Sequence, residues 1–312
     1  MRENITPLLT EPLHSLRPRP CALGSAKARS RSGGRLFGSY AHGWHTQLFQ
    51  ELQVQWLDRW LKGESNGAET AAKVMLFVKG ADRWRLEDDW PLPDAHATRL
   101  YLSSARSGSV DSLNDGALDA RVPTSSATVA LPYTPDDGPS LPVLLSATKG
   151  RSNADQRPFE KKVATWTTAP FSVATEVTGY PRVAIWATSS AADGDLVFSL
   201  NDVGPDGVSH QVMQGYLNAP HAADLHSAPT PLKPGELKRY ELDLFPIAYV
   251  FPAGHRIRLA VAGGADATAG TPFPQGPGKN PQANTWTISM DPERASSIDL
   301  PIIGSAWSSL AQ

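Results

Sequence analysis

Two hydrophobic periods divide the chain. Over residues 46–62, Leu48, Phe49, Leu52, Trp56, Leu57, Trp60 and Leu61 recur at spacings of three and four, which predicts one apolar face of an α-helix. Thr46 can cap its start, and Gly63 can supply the left-handed residue that ends it. Two tryptophans make this face a docking stripe, but the plainer expectation is that it packs into a core. From residue 73 onward the period falls to two, or to short apolar runs. KVMLFV (73–78) has the look of a buried strand. RLYLSS (99–104), ATVALPY (127–133), KKVATWTT (161–168), FSVATEV (171–177) and RVAIWATS (182–189) follow. Then come LVFSLNDV (196–203), SHQVMQGYL (209–217), LKRYELDLF (237–245), HRIRLAVAG (255–263) and NTWTISM (284–290). Valine, isoleucine, threonine and aromatics fill these runs, and glycine, proline, aspartate and asparagine separate them. Short strands without long helices between them predict an antiparallel sandwich, because parallel pairing needs crossover connections. No period of the length that marks a repeat array is present. Residues 264–283 form a Gly/Pro-rich loop.

Composition sharpens this picture. The 312 residues hold 25 glycines and 27 prolines, which excludes a helical bundle and fits many turns. Apolar residues make up 40%, enough for a sizeable core in one large or two ordinary domains. A net charge of −2 gives no global basic field, so a nucleic-acid partner is not expected. No apolar run approaches the ~18 residues of a membrane span, so no membrane partner is expected either. The single Cys21 excludes an internal disulfide framework and a cysteine-based zinc cluster.

Residues 1–34 stand apart, with six basic residues (Arg2, Arg17, Arg19, Lys27, Arg29, Arg31) against Glu3 and Glu11 and no apolar period. An Arg/Ser-rich, acid-poor start fits a transit peptide, a disordered tail, or foreign or frame-shifted sequence. It lacks the apolar stretch of a secretory signal, and the compartment expected is the cytoplasm. Asn4-Ile5-Thr6 is a glycosylation triplet with nothing else to mark secretion.

Candidate chemistry is sparse. Gly63-Glu64-Ser65-Asn66-Gly67 has the letters of a nucleophile elbow, but it follows a helix where an elbow follows a strand, and a helix cap with a turn explains it. His221 and His226 flank Asp224, and His42 and His45 lie three apart; either pair could hold a metal only with carboxylates at helical or strand spacing, and the first set sits in a Pro/Ala-rich loop. No metal or cofactor is expected. His210 belongs on a half-exposed strand position, and His255 in FPAGHRIRL stabilises a turn before a strand. His42 differs, because a short apolar stub ends in Gly38 and a loop carries the histidine into the helix. A general base of the order Ser…Asp…His sits on such a loop.

Several blocks together resemble the C-terminal portion of the bacterial cocaine esterase and X-Pro dipeptidyl-peptidase family of serine hydrolases. They are GRLFGSYAHG (34–43), WLDRWLKG (56–63), VMLFVKGADRWRLEDDWPLP (74–93), ADQRPFE (154–160), FSVATEVTGYPRVAIWATSSAADGDLVFSLNDVGPDG (171–207), LKPGELKRYELDLFPIAYVFPAGHRIRLAVAG (232–263) and NTWTISMDPERASSIDLPII (284–303). The resemblance implies a mainly β chain: a galactose-binding-like jelly-roll β-sandwich over 73–312, preceded by a short remnant of an α/β-hydrolase domain over 35–72, with 1–34 unplaced. It also implies that His42 is the catalytic histidine. In the family that histidine follows Gly-Pro-Trp; here the tripeptide is Gly38-Ser39-Tyr40.

The family's nucleophilic serine and catalytic aspartate precede the histidine, yet no aspartate occurs before His42. The expectation is therefore the C-terminal part of an acyl-ester hydrolase or X-Pro dipeptidyl-peptidase, inactive alone. Its partner would be a separately encoded N-terminal α/β-hydrolase portion, and an uncovered apolar surface would favour self-association. The alternative is a free-standing β-sandwich that binds carbohydrate or a protein partner. For that reading nine tryptophans are available, although core or domain packing accounts better for Trp84, Trp90, Trp166 and Trp186.

Overall fold

A computed structural model describes residues 47–135, 155–223, 228–264 and 282–304. Helix α1 spans Gln47–Lys62, and Gly63 ends it with φ +74°. The strands that follow are β1 (Val74–Val78), β2 (Arg83–Glu87), β3 (Ala95–Arg106), β4 (Gly116–Asp119) and β5 (Ala127–Tyr133). After the short helix α2 (Arg157–Glu160) come β6 (Ala164–Thr167), β7 (Thr175–Gly179), β8 (Arg182–Ser189), β9 (Asp195–Val203) and β10 (Ser209–Asn218). The last five are β11 (Lys238–Asp243), β12 (Ile247–Phe251), β13 (Arg256–Ala262), β14 (Asn284–Met290) and β15 (Ser297–Ile303). The predicted helix and the eleven predicted runs all contain elements, and β5, β8 and β14 match to the residue.

Antiparallel pairing dominates. One ladder runs β10-β9-β13-β6-β4-β3-β15-β8-β14-β5, with β11 beside β8 and β7 between β12 and β15. The ladder changes layer at β4 and β6, which pair in parallel through only Gly116↔Trp166 and Ala117↔Thr167. Two contacts show the layers facing one another. The Trp286 indole of β14 donates to the Asp195 carbonyl of β9 (2.9 Å), and the Trp166 indole of β6 donates to Met290 Sδ of β14 (3.2 Å). Both tryptophans are fully buried, among Leu100, Leu131, Ile185, Phe198, Leu200, Phe251 and Ile298. Each large side chain of this kind contributes about 1.5–3 kcal/mol on burial, so this mainly β sandwich is held chiefly by its inner face.

Two expectations need correction. The run 73–78 is not a buried strand: β1 pairs with β2 in a separate two-stranded sheet, and Met75 is exposed. Its apolar letters serve a hairpin that leans on β12 through Lys79, whose amide donates to the Ala248 carbonyl and whose carbonyl accepts from Val250. Gly80 permits this approach, because with φ +86° a Cβ there would lie 2.5 Å from the Val250 carbonyl oxygen. The apolar face of α1, in turn, is not in a core. Trp56 is 57% exposed, Trp60 56% and Leu61 78%.

Candidate functional site

Helix α1 is pinned on one side only. The chain turns at Gly63 and folds back along the helix, where Gln55 Nε2 donates to the Asn66 carbonyl (2.8 Å) and Asn66 Nδ2 donates to the Gln55 carbonyl (2.7 Å). Arg59 pairs with Glu69 (3.1 Å), and Lys62 with Asp58 (2.6 Å). The Glu64 amide closes the cap on the Asp58 carbonyl (3.2 Å). This loop covers the polar flank and leaves Val54, Trp56, Leu57, Trp60 and Leu61 in solvent. The Trp56 and Trp60 rings lie 6.3 Å apart and tilted, which makes one aromatic ridge. Five large apolar side chains thus stand exposed on one helix of the chain.

His42 and His45 lie outside the described residues, as do Asp224 and His226. Ser65 stands in the turn after α1, between Gly63 and Gly67, both with positive φ, so the cap-and-turn reading of this segment holds. His221 ends a short 3-10 helix, Ala219–His221. Among the described residues no group of three or more His, Cys, Asp or Glu could hold a metal ion. His210 is an exposed residue of β10.

His255 is more than a turn residue. Its Nδ1 lies 2.8 Å from Asp202 Oδ1, and the Tyr249 hydroxyl donates to Asp202 Oδ2 (2.8 Å). Asp202 is buried, and these contacts tie the β12–β13 turn to the end of β9. Burial, together with the neighbouring Asp202 carboxylate, pushes the Tyr249 phenol well above its ordinary range.

Behind this end lies a buried ion pair. Arg258 Nη1 donates to Glu160 Oε2 (2.5 Å), and both side chains are fully buried. Arg258 also reaches Thr167 Oγ1 (2.9 Å) and the Ser109 carbonyl (3.1 Å). Glu160 Oε1 accepts from Asn201 Nδ2 (2.8 Å) and Ser209 Oγ (2.6 Å). Burial pulls the Arg258 pKa below the ordinary guanidinium value, and Glu160 opposes that shift. Sequence reasoning missed Glu160, Arg258, Asp202 and Tyr249. The available signal was charge inside apolar runs: Asp202 in LVFSLNDV and Arg258 in HRIRLAVAG.

Comparison with known proteins fits this architecture. Residues 66–299 match the model of the X-Pro dipeptidyl-peptidase C-terminal non-catalytic domain. The cocaine esterase of Rhodococcus sp. (strain MB1 Bresler) is 33% identical over 239 residues, covering 74% of this chain and 41% of that protein. Among solved structures, an aminopeptidase from a marine sediment archaeon (Thaumarchaeota archaeon) aligns with a TM-score of 0.67 and 23% identity, over 88% of this chain and 47% of that one. An α-amino acid ester hydrolase aligns with a TM-score of 0.61 and 22% identity, over 80% and 44%. These two likenesses concern the fold. The chain spans about a third to two-fifths of the length of the curated relatives it matches. With its sandwich matched from β1 into β15, the chain belongs to the family of the X-Pro dipeptidyl-peptidase C-terminal non-catalytic domain, found in hydrolases of the cocaine esterase type.

Proposed function

We propose that this chain is the C-terminal, non-catalytic part of a serine hydrolase for acyl esters or X-Pro peptides, and that it performs no hydrolysis alone. The observation that carries the reading is the exposed Trp56/Trp60 ridge, standing immediately before the family's non-catalytic domain. In this reading residues 35–72 are the last strand, histidine loop and final helix of an α/β-hydrolase domain, residues 73–312 are the jelly-roll domain, and the ridge seats the hydrolase portion. That portion supplies the serine and the aspartate, and His42 supplies the base. The serine hydroxyl adds to the substrate carbonyl while His42 takes its proton; His42 then returns the proton to the leaving group, and water releases the acyl enzyme by the same route. Without the nucleophile the loss is roughly 10⁶-fold in rate.

The test is turnover of a small activated ester by the 312-residue chain and by His42→Ala. Both are expected to match the buffer rate, and hydrolysis that depends on His42 would overturn the reading. Adding the α/β-hydrolase portion of a relative as a separate polypeptide is expected to give a complex whose activity needs His42.

A further inference from the structure

The β3–β4, β6–β7, β9–β10 and β12–β13 connections enclose an open crevice of about 440 Å³ at one end of the sandwich. Its walls include Ser109, Pro170, Gly204, Asp206, Gly254 and Arg256. That volume falls in the range of small-molecule sites, about 300–1,000 Å³. The walls are held by their own main chain: Gly204 N donates to the Val208 carbonyl (2.9 Å), Gly207 N to the Gly204 carbonyl (2.9 Å) and Gly254 N to the Phe171 carbonyl (2.8 Å). With these amides committed, recognition falls to side chains.

The charges there differ in how they are paired. Arg258, on the same face of β13, is neutralised by Glu160, and Arg157 is neutralised by Asp155 (2.6 Å). Arg256 is different. It spends one N–H on the neutral Thr168 carbonyl (3.0 Å) and forms no ion pair among the described residues. Asp206, also on the lining, accepts the Val208 amide (3.0 Å); it forms no close ion pair among the described residues, and Arg157 is the cation that its charge reaches. Arg256 and Asp206 thus line the same crevice without pairing with each other. Gly204 keeps space open beside Asp206: a Cβ there would lie 2.7 Å from Asp206 Oδ1 and 3.8 Å from His255 Cε1. Asp202 fixes the His255 ring beside this gap.

We propose that this crevice binds a small zwitterion, a free amino acid or an unblocked peptide, with its carboxylate on the Arg256 fork and its ammonium group on Asp206. A guanidinium fork suits a carboxylate, and an opposed carboxylate rejects a ligand that is only anionic.

Calorimetric titration of the full chain tests this with L-alanine and glycylglycine as probes, and with N-acetyl-L-alanine and L-alaninamide as single-charge controls. At least one probe should bind in the millimolar range, and each control should bind about tenfold more weakly than L-alanine. Arg256→Gln and Asp206→Asn should each lose about tenfold in affinity, and Arg256→Gln should no longer distinguish L-alanine from L-alaninamide. Asp206 is exposed, so Asp206→Asn gives a readout even where Arg256→Gln disturbs folding. Failure of both probes to bind, or equal binding by wild type and Asp206→Asn, would overturn the assignment.

Discussion

At the scale of single residues, the Glu160–Arg258 pair places two opposite charges wholly inside the sandwich. Glu160→Gln keeps the shape but leaves a buried guanidinium without its counter-charge, at a cost of about 3–5 kcal/mol. Urea unfolding is expected to show that loss, and the double variant Glu160→Leu with Arg258→Met should recover most of it. Asp243 gives a milder effect. Its hydrogen bonds from Arg182 (2.6 and 2.9 Å) hold its carboxyl below the ordinary value of 3.8. A depressed folded pKa adds stability that is present above the unfolded pKa and lost as pH falls through the folded one. The difference in melting temperature between wild type and Asp243→Asn should therefore be steady above pH ~4.5 and shrink below pH ~4. Neither partnership was legible in the sequence. Arg258 alternates along β13 as an outward residue would, and the acid that brings it inside lies 98 positions away.

At the scale of elements, α1 was legible as a helix and illegible as a surface. Spacing says which residues share a face, but not what stands opposite, and here solvent does. Replacing Trp56 and Trp60 together by glutamine should leave the far-ultraviolet spectrum nearly unchanged while lowering self-association in sedimentation. Unchanged association would remove α1 from the interface. Four strands, β2, β4, β12 and β15, lie outside the predicted runs, and two of them show a physical cause. β4 is four residues long and begins at a glycine, where a Cβ would strike the Trp166 ring. β15 carries Asp299 and Pro301, which argue against a strand on sequence grounds. It forms nonetheless: Asp299 faces Arg99 in a two-pronged pair (2.7 and 2.8 Å), and Pro301 packs over Gly179. The strands that matched to the residue end at turn residues: β5 before Thr134-Pro135, β8 between Pro181 and Ser190, and β14 before Asp291-Pro292.

At the scale of the whole molecule, the order of pairing sets when the sandwich can close. Strand β3 lies beside β15, with Leu100 opposite Ile298, and the same β15 spans β7 and β8. A strand near the start of the sandwich therefore waits for one near residue 300. During synthesis β3 must leave the ribosome and stay unpaired on that side until some 190 further residues have been made, counting from Arg106 to Ser297. Long-range closure of this kind is slow and exposes strand edges meanwhile. A chain stopped after Ser296 should lose cooperative thermal unfolding, whereas a retained sharp transition would show that β15 is dispensable. Through that interval the Trp56/Trp60 segment, which precedes β3, is already outside. The nascent protein thus exposes its largest aromatic pair before it has a core to protect.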